Sequence, residues 1–387
     1  MNKKELELYI HIPFCVRKCS YCDFLSAPAT EQTREAYMAA LFAEIGGRAK
    51  DYSDRTVTSI FIGGGTPSLL SGEQIGQLMD RIREQFAMAQ DAEITMEVNP
   101  GTVSAEKLRN FYTAGINRLS IGMQSAQAEE LKNLGRIHDF EGFCQVYWEA
   151  VEAGFTNINV DIMSGLPGQT LASYRDTLEK VLHLEPMPQH ISAYSLIVEE
   201  GTPFAAMAER GELPLPEEET ERAMYEETIE VLAKYGFHRY EISNYARDGY
   251  ECRHNVGYWI RRDYLGFGIG AASLIDNVRF QNEKSLGAYL AHPLESREEE
   301  QTLTVQERME ETMFLGLRLT RGVSCVDFVE QYGRTVEEVY GEVIARNVAD
   351  GLLTVTERKE NQKKDRFLAL TKRGLDLSNY VMAQFLF

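Results

Sequence analysis

Short strand-like runs alternate with helical stretches through roughly the first 200 residues, and this alternation limits the fold more than any other feature of the chain. The strand candidates are 6–12, 57–62, 93–98, 118–123, 157–163 and 191–198. Helical patterns fill the gaps at 33–49, 72–86, 105–114, 140–153 and 171–182. Helices of this length between strands imply right-handed βαβ units and a parallel sheet. The sheet is either open and doubly wound or a six-stranded partial barrel.

Side-chain parity favours the partial barrel. Alternate residues of a strand face opposite ways. Ile94, Met96 and Val98 oppose Thr95 and Glu97; Leu119, Ile121 and Met123 oppose Ser120, Gly122 and Gln124; Ile158, Val160 and Ile162 oppose Asn157, Asn159 and Asp161. A doubly wound sheet is apolar on both faces, and a closed eight-stranded barrel fills its lumen with branched apolar side chains. One polar or small face on three consecutive strands predicts an incomplete barrel whose lumen takes a polar ligand. The expected class is therefore α/β, with a partial (β/α)6 barrel over residues 1–240.

Beyond residue 200 the pattern changes. Leu213-Pro-Leu-Pro216 breaks the chain and an acidic helix is expected over 217–235. A β-rich connecting segment, 241–300, carries Gly266, Gly268 and Gly270 in a strand pattern, a sign of close backbone approach. Residues 301–387 read as helices, then strands at 352–356 and 365–370 around a charged tip, then a helix over 372–385: a winged-helix-like α+β domain. Such modules often bind DNA. With 40 Lys and Arg against 59 Asp and Glu, the net charge of −19 argues against nucleic acid and for a structural or docking role. No apolar run approaches the roughly 20 residues of a membrane span. The start MNKKELELYIHIPF enters a strand pattern without a signal-peptide core, so a cytoplasmic location is expected, with at most peripheral membrane contact.

Of six cysteines, Cys15, Cys19 and Cys22 fall in a CxxxCxxC cluster at the end of the first strand. In a reducing compartment a tight cluster reads as a metal site. A structural zinc site needs four ligands, and His11 is the available fourth. Three thiolates alone suit a [4Fe–4S] cluster with one iron left open. The loop beyond a strand's C-terminal end is where parallel α/β proteins place their chemistry. Cys144 and Cys325 are expected in cores.

With Gly63-Gly-Gly-Thr-Pro67 after the second strand, the chain resembles the radical S-adenosylmethionine (SAM) superfamily. The resemblance implies a cluster whose open iron binds the amino and carboxylate groups of SAM, an electron donor, and cleavage of SAM to methionine and a 5′-deoxyadenosyl radical. Glu97-Val-Asn-Pro100, Gly115-Ile-Asn-Arg-Leu-Ser-Ile-Gly-Met-Gln-Ser125, Leu134-Gly-Arg-Ile-His138 and Asp161-Ile-Met-Ser-Gly-Leu-Pro-Gly-Gln-Thr170 resemble the oxygen-independent coproporphyrinogen oxidase-like branch. By that resemblance Tyr9, Tyr21, Gly64, Gly65, Thr66, Glu97, Gln124, Arg136 and Asp161 are the SAM contacts. Parity had already placed Glu97, Gln124 and Asp161 on the polar face.

Within the branch, the oxidases carry a further Cys where this chain has Phe24. Cys252-Arg-His254-Asn-Val-Gly-Tyr258-Trp259 matches the HNxxYW pattern of the HemW-type heme chaperones. That family implies binding of heme, or a related porphyrin, and its delivery to respiratory hemoproteins. The other reading is an enzyme that oxidatively decarboxylates porphyrinogen propionates. His254 can offer a nitrogen to heme iron, with Cys252 a rival soft ligand, and Tyr258 and Trp259 can cover a porphyrin face. The plainer reading is that Trp259 anchors a hairpin and His254 caps it. His183 and His190 are expected at a helix or strand end.

Overall fold

A computed structural model describes residues 3–360 and 363–386. Six strands run parallel in chain order: β1 (Lys4–Ile12), β2 (Arg55–Gly64), β3 (Ala87–Val98), β4 (Arg118–Gln124), β5 (Ile158–Ser164) and β6 (His190–Ser195). The helices between them are α1 (Glu31–Arg48), α2 (Gly72–Gln85), α3 (Ala105–Thr113), α4 (Ala128–Leu134), α5 (Phe140–Glu152) and α6 (Leu171–Leu182). The alternation read from the sequence is present, with α4 an addition. Side-chain caps start the helices: Ser71 and Thr170 form capping boxes on α2 and α6, and Ser104 and Asp139 cap α3 and α5.

Parity sorts the sheet as expected. Leu6, Leu8, Ile10, Ile60, Ile62, Met96, Leu119, Ile121, Val160 and Ile191 are fully buried in one core with the helices. The opposite face is polar and also buried: Glu7, Ser59, Glu93, Thr95, Arg118, Ser120, Asn159, His190 and Ser192. Register lines them up in rungs, with Glu7 beside Ser59, Ser59 beside Glu93, Glu97 beside Ser120 and Ser120 beside Asn159.

Residues 241–300 do not form a separate connecting segment, because their strands complete the same sheet at both edges. After α7 (Pro203–Glu209) and the expected acidic helix α8 (Glu218–Lys234), β7 (His238–Arg239) and β8 (Asn244–Ala246) extend it beyond β6. After helix α9 (Arg253–Trp259), β9 (Tyr264–Phe267) pairs parallel to β1 and leads to β10 (Ala272–Ile275) and β11 (Val278–Asn282). Helix α10 (Leu286–Ala291) and β12 (Arg297–Thr302) follow, giving an open twelve-stranded sheet. Tyr245, Leu265, Phe267, Phe280 and Tyr289 join the core of the central strands. The glycines of 266–270 do mark close approach: a Cβ at Gly266 or Gly268 would overlap Ala272 or Tyr37.

The C-terminal part has its own core, including Met313, Leu317, Phe328, Leu368, Val381 and Phe385. Helices α11 (Val305–Gly316), α12 (Cys325–Tyr332) and α13 (Val336–Ala349) surround a three-stranded sheet of β13 (Val323–Ser324), β14 (Leu353–Glu360) and β15 (Lys363–Leu370). This is the winged-helix-like arrangement expected, although residues 361–362 of the tip lie outside the described residues. The final helix is broken at Leu377 into α14 (Lys372–Asp376) and α15 (Ser378–Ala383). Among the described residues no helix is long and apolar enough to cross a membrane.

Candidate cluster and cofactor site

The loop after β1 closes on itself. The Cys15 N–H donates to Ala27 O at 3.2 Å, and the Ala27 N–H to Pro13 O at 2.9 Å. The Ser20 N–H donates to Leu134 O at the end of α4. Within this loop Cys15, Cys19 and Cys22 are free, half-buried thiols. They line one cavity of about 150 Å³ at the C-terminal ends of the parallel strands. The other walls include Tyr21, Gly64, Gly65, Thr66, Glu97, Gln124, Arg136 and Asp161, so the structure gathers every expected SAM residue there except Tyr9.

The glycines after β2 act through space and conformation. A Cβ at Gly65 would sit 2.7 Å from Phe14 O and 2.9 Å from Ile12 O, so only glycine lets β2 end against the cysteine loop. Gly64 has φ +109°, and its N–H donates to Glu97 Oε2 at 3.0 Å. Gly122 leaves the space that the side chains of Gln124 and Arg136 occupy. Gln124 itself sits at φ 68°, a strained conformation of the kind found at functional sites.

The electrostatics are divided. Around the thiols, Arg136 Nη1 donates to Cys19 Sγ at 3.9 Å and Thr66 Oγ1 to Cys15 Sγ at 3.5 Å. Arg17 and Lys18 add positive charge to the same cavity. Burial pushes the Cys22 thiol up, and the neighbouring Cys19 and Cys15 add to this while a hydrogen bond with the Phe24 backbone opposes it. Deeper in, two carboxyls face each other. Burial and then Asp161 raise Glu97 to about 7. Burial also raises Asp161, against hydrogen bonds from Asn159 Nδ2 at 2.7 Å and Ser120 Oγ at 3.3 Å. Such a pair suits a ligand that brings a cation or several hydroxyls.

A second cavity, of about 390 Å³, shares Phe24, Gly64 and Glu97 with the first. Its other walls include Tyr9, His11, Leu25, Tyr258 and Tyr264. Tyr9 therefore lies next door to the thiol cavity, with its hydroxyl 3.0 Å from His11 Nδ1. His11 Nε2 is 2.9 Å from Leu25 O. With both nitrogens engaged and its ring outside the thiol cavity, His11 does not complete a four-ligand zinc site. Among the described residues no three His, Cys, Asp or Glu side chains converge closely enough to hold a single metal ion.

The radical SAM superfamily model matches residues 9–181, and the HemN C-terminal domain model matches residues 303–377. The Escherichia coli coproporphyrinogen III oxidase HemN, a radical SAM enzyme of known structure, superposes with a TM-score of 0.84 at 28% identity, covering 100% of this chain and 91% of that one. The heme chaperone HemW of Bacillus subtilis is 38% identical over 98% of both chains. That of E. coli is 37% identical over 90% of this chain and 92% of its own. This chain belongs to the HemW family.

The HemW-type HNxxYW residues sit elsewhere than expected. They form helix α9, not part of a hairpin, because Glu93 on the polar face of β3 caps it: the Arg253 and His254 N–H groups donate to its two oxygens at 3.1 and 3.2 Å. Gly257 lies directly on Glu7, where no Cβ would fit. His254 is 1% exposed, with Nδ1 2.9 Å from Ser59 Oγ and Nε2 3.1 Å from Tyr258 OH. Burial lowers it to about 3, so it is neutral. Both ring nitrogens are thus engaged by neighbouring side chains of this chain. Cys252 is equally sealed: its thiol donates to Glu93 Oε1 at 3.5 Å, and burial raises it to about 12. Trp259 packs under the Arg318 guanidinium, 4.3 Å from its ring centroid, and borders a small cavity of about 60 Å³ against the C-terminal part. Of the three tentative heme residues, Tyr258 faces the second cavity and Trp259 a small separate one at the C-terminal part, while His254 lines neither.

Cys144 and Cys325 pack against the two cores as expected. His183 follows α6, and His190 opens β6 between Asn159 and Tyr240. Sequence reasoning did not single out Arg17, Lys18, Ser120 or Gly122 as cavity residues. Ser120 and Gly122 carried a signal, since parity put them on the face of Gln124.

Proposed function

We propose that this protein binds heme and hands it to respiratory hemoproteins, on a scaffold where Cys15, Cys19 and Cys22 hold a [4Fe–4S] cluster and the adjoining cavity takes SAM. The observation that carries the reading is the near full-length likeness to heme chaperones at 37–38% identity. The donor set fits the cluster. Three free thiols line one cavity, the number of ligands that leaves one iron of a [4Fe–4S] cluster open, and Arg17, Lys18 and Arg136 offset the charge of the thiolates.

When bound, such a cluster supplies low-potential electrons, received from an external donor, and an open iron for the amino and carboxylate groups of SAM. The protein's own residues do the rest. Arg136 offers N–H donors to a carboxylate, Glu97 and Asp161 accept from an ammonium or ribose hydroxyls, and Gly64 and Gly65 keep the wall thin. Tyr9 borders the site through its neighbour, Glu97. The location is cytoplasmic and nucleic acid is not a partner.

The decarboxylase reading is weaker. The oxidase likeness is lower in identity, at 28%, and Phe24 stands where the oxidases carry another Cys. The test is transfer of heme from the reconstituted, heme-loaded protein to an apo-form respiratory hemoprotein. Spectra of the holo-acceptor are expected to develop. Anaerobic release of carbon dioxide from coproporphyrinogen III with SAM, and no heme transfer, would reverse the assignment.

A further inference from the structure

His190 reads from the sequence as a strand-end residue, yet it stands in the middle of a hydrogen-bonded chain that ends on the wall of the thiol cavity. It is wholly buried at the start of β6, with Nδ1 2.6 Å from Asn159 Oδ1 and Nε2 2.9 Å from Tyr240 OH. Asn159, also buried, gives Nδ2 to Asp161 Oδ1 and to Ser120 Oγ, each at 2.7 Å. Ser120 Oγ lies 3.3 Å from both Asp161 oxygens. Asp161 and Ser120 line the cavity, and Asn159 and His190 support them from outside it.

The partners fix the direction of every link. An ionised carboxylate only accepts, so the amide edge turned to Asp161 is the NH2 and the edge turned to His190 is the carbonyl. His190 Nδ1 must then carry the proton. Burial, and after it the Arg118 charge, holds the ring well below the usual histidine range, so it is neutral and Nε2 is a bare acceptor. Tyr240 OH therefore donates to Nε2 and accepts the Cys252 N–H at 3.3 Å. Ser192 Oγ is 3.1 Å from Asn159 Oδ1 but 2.7 Å from Asn244 Oδ1, an acceptor because Asn244 Nδ2 donates to Glu241 Oε1 at 2.6 Å. His190 is thus the closer donor to Asn159. We propose that His190 is a positioning residue for SAM, whose Nδ1–H fixes the Asn159 amide and through it aims the Asp161 carboxylate into the cavity. The inference rests on the reading of that cavity as the SAM site. Without the ring, Asn159 Oδ1 loses its nearest donor and the amide is free to turn. Turned over, it would set a carbonyl against the carboxylate and push it from its place.

SAM titration of the anaerobically reconstituted protein, read from the change that SAM makes in the paramagnetic-resonance spectrum of the reduced cluster, tests the chain. His190→Ala is expected to weaken binding by about three- to tenfold, the range of one hydrogen bond, with iron, sulfide and the spectrum without SAM as in the parent. His190→Asn keeps an N–H near the place of Nδ1 and should recover much of the loss, whereas His190→Gln carries its amide on toward Tyr240 and should not. In an Asp161→Asn background His190→Ala should add less than about twofold. Parent-like SAM binding by His190→Ala, an equal loss in both backgrounds, or His190→Asn no better than His190→Gln would each overturn the proposal. Should His190→Ala fail to take up a cluster, the comparison of His190→Asn with His190→Gln decides alone. A parent protein that carries its cluster yet shows no response to SAM would remove the SAM reading of the cavity, and this inference with it.

Discussion

Glu7 shows how much the polar face depends on single atoms. It is wholly buried on β1, with Oε1 3.3 Å from Arg262 Nη1 and Oε2 without a hydrogen-bond partner among the described residues. Burial raises it from 4.5 to about 8; Glu93 adds to this and Arg262 opposes it. The folded-state value lies above the unfolded one, so the stabilising contribution is full below pH 4.5 and declines as pH rises toward 8. Glu7→Gln removes that decline. Urea unfolding is expected to show the variant gaining on the parent by on the order of 2–3 kcal/mol more at pH 8.5 than at pH 5.5. An equal difference at both pH values would mean that Glu7 is ionised throughout. At this scale the sequence was informative where alternation alone decides direction: Glu97, Gln124 and Asp161 reach the cavity as read. It singled out His254 but not its contacts with Ser59 and Phe61, nearly two hundred residues away.

Elements meet at the cavity through backbone, and Gly65 is the tightest point. Gly65→Ala presses a methyl onto Phe14 O and Ile12 O and must push the cysteine loop off β2. The expected outcome is a folded chain, by circular dichroism, that retains less iron after anaerobic reconstitution; full iron retention would show that the loop can yield. A second junction ties the C-terminal part to the sheet. Glu311 of α11 takes Arg261 Nε at 2.9 Å and Arg279 Nη2 at 2.7 Å, and both Glu311 and Arg261 are almost fully buried. Glu311→Gln leaves these guanidinium groups without their carboxylate, a loss of about 3 kcal/mol. Calorimetry should then resolve an earlier transition of the C-terminal part, whereas an unchanged single transition would contradict this coupling. Helix α9 was not legible as a helix, because it is short, contains Gly257 and starts on a cap supplied by Glu93 rather than by its own neighbours. The pairing of β9 with β1 was hidden for the same reason: no local pattern announces a partner 250 residues distant.

At the scale of the whole molecule, the repeated βα unit and the one-sided polarity of its strands explain why a ligand site lies inside an open sheet. Six parallel strands turn their carboxyls, amides and hydroxyls inward, the cysteine loop covers one end, and α9 fills the space beside Glu7 and Glu93. The added edge strands complete the wall on which Tyr264 sits, so the stretch read as a connector lines the second cavity. The account stands on Cys15, Cys19 and Cys22 carrying iron and sulfide. Metal and acid-labile sulfide analysis of anaerobically reconstituted protein tests it most directly. About four iron and about four sulfide per chain are expected, both lost when the three cysteines are replaced by serine. Stoichiometric zinc without sulfide, or iron retained by the serine variant, would contradict it.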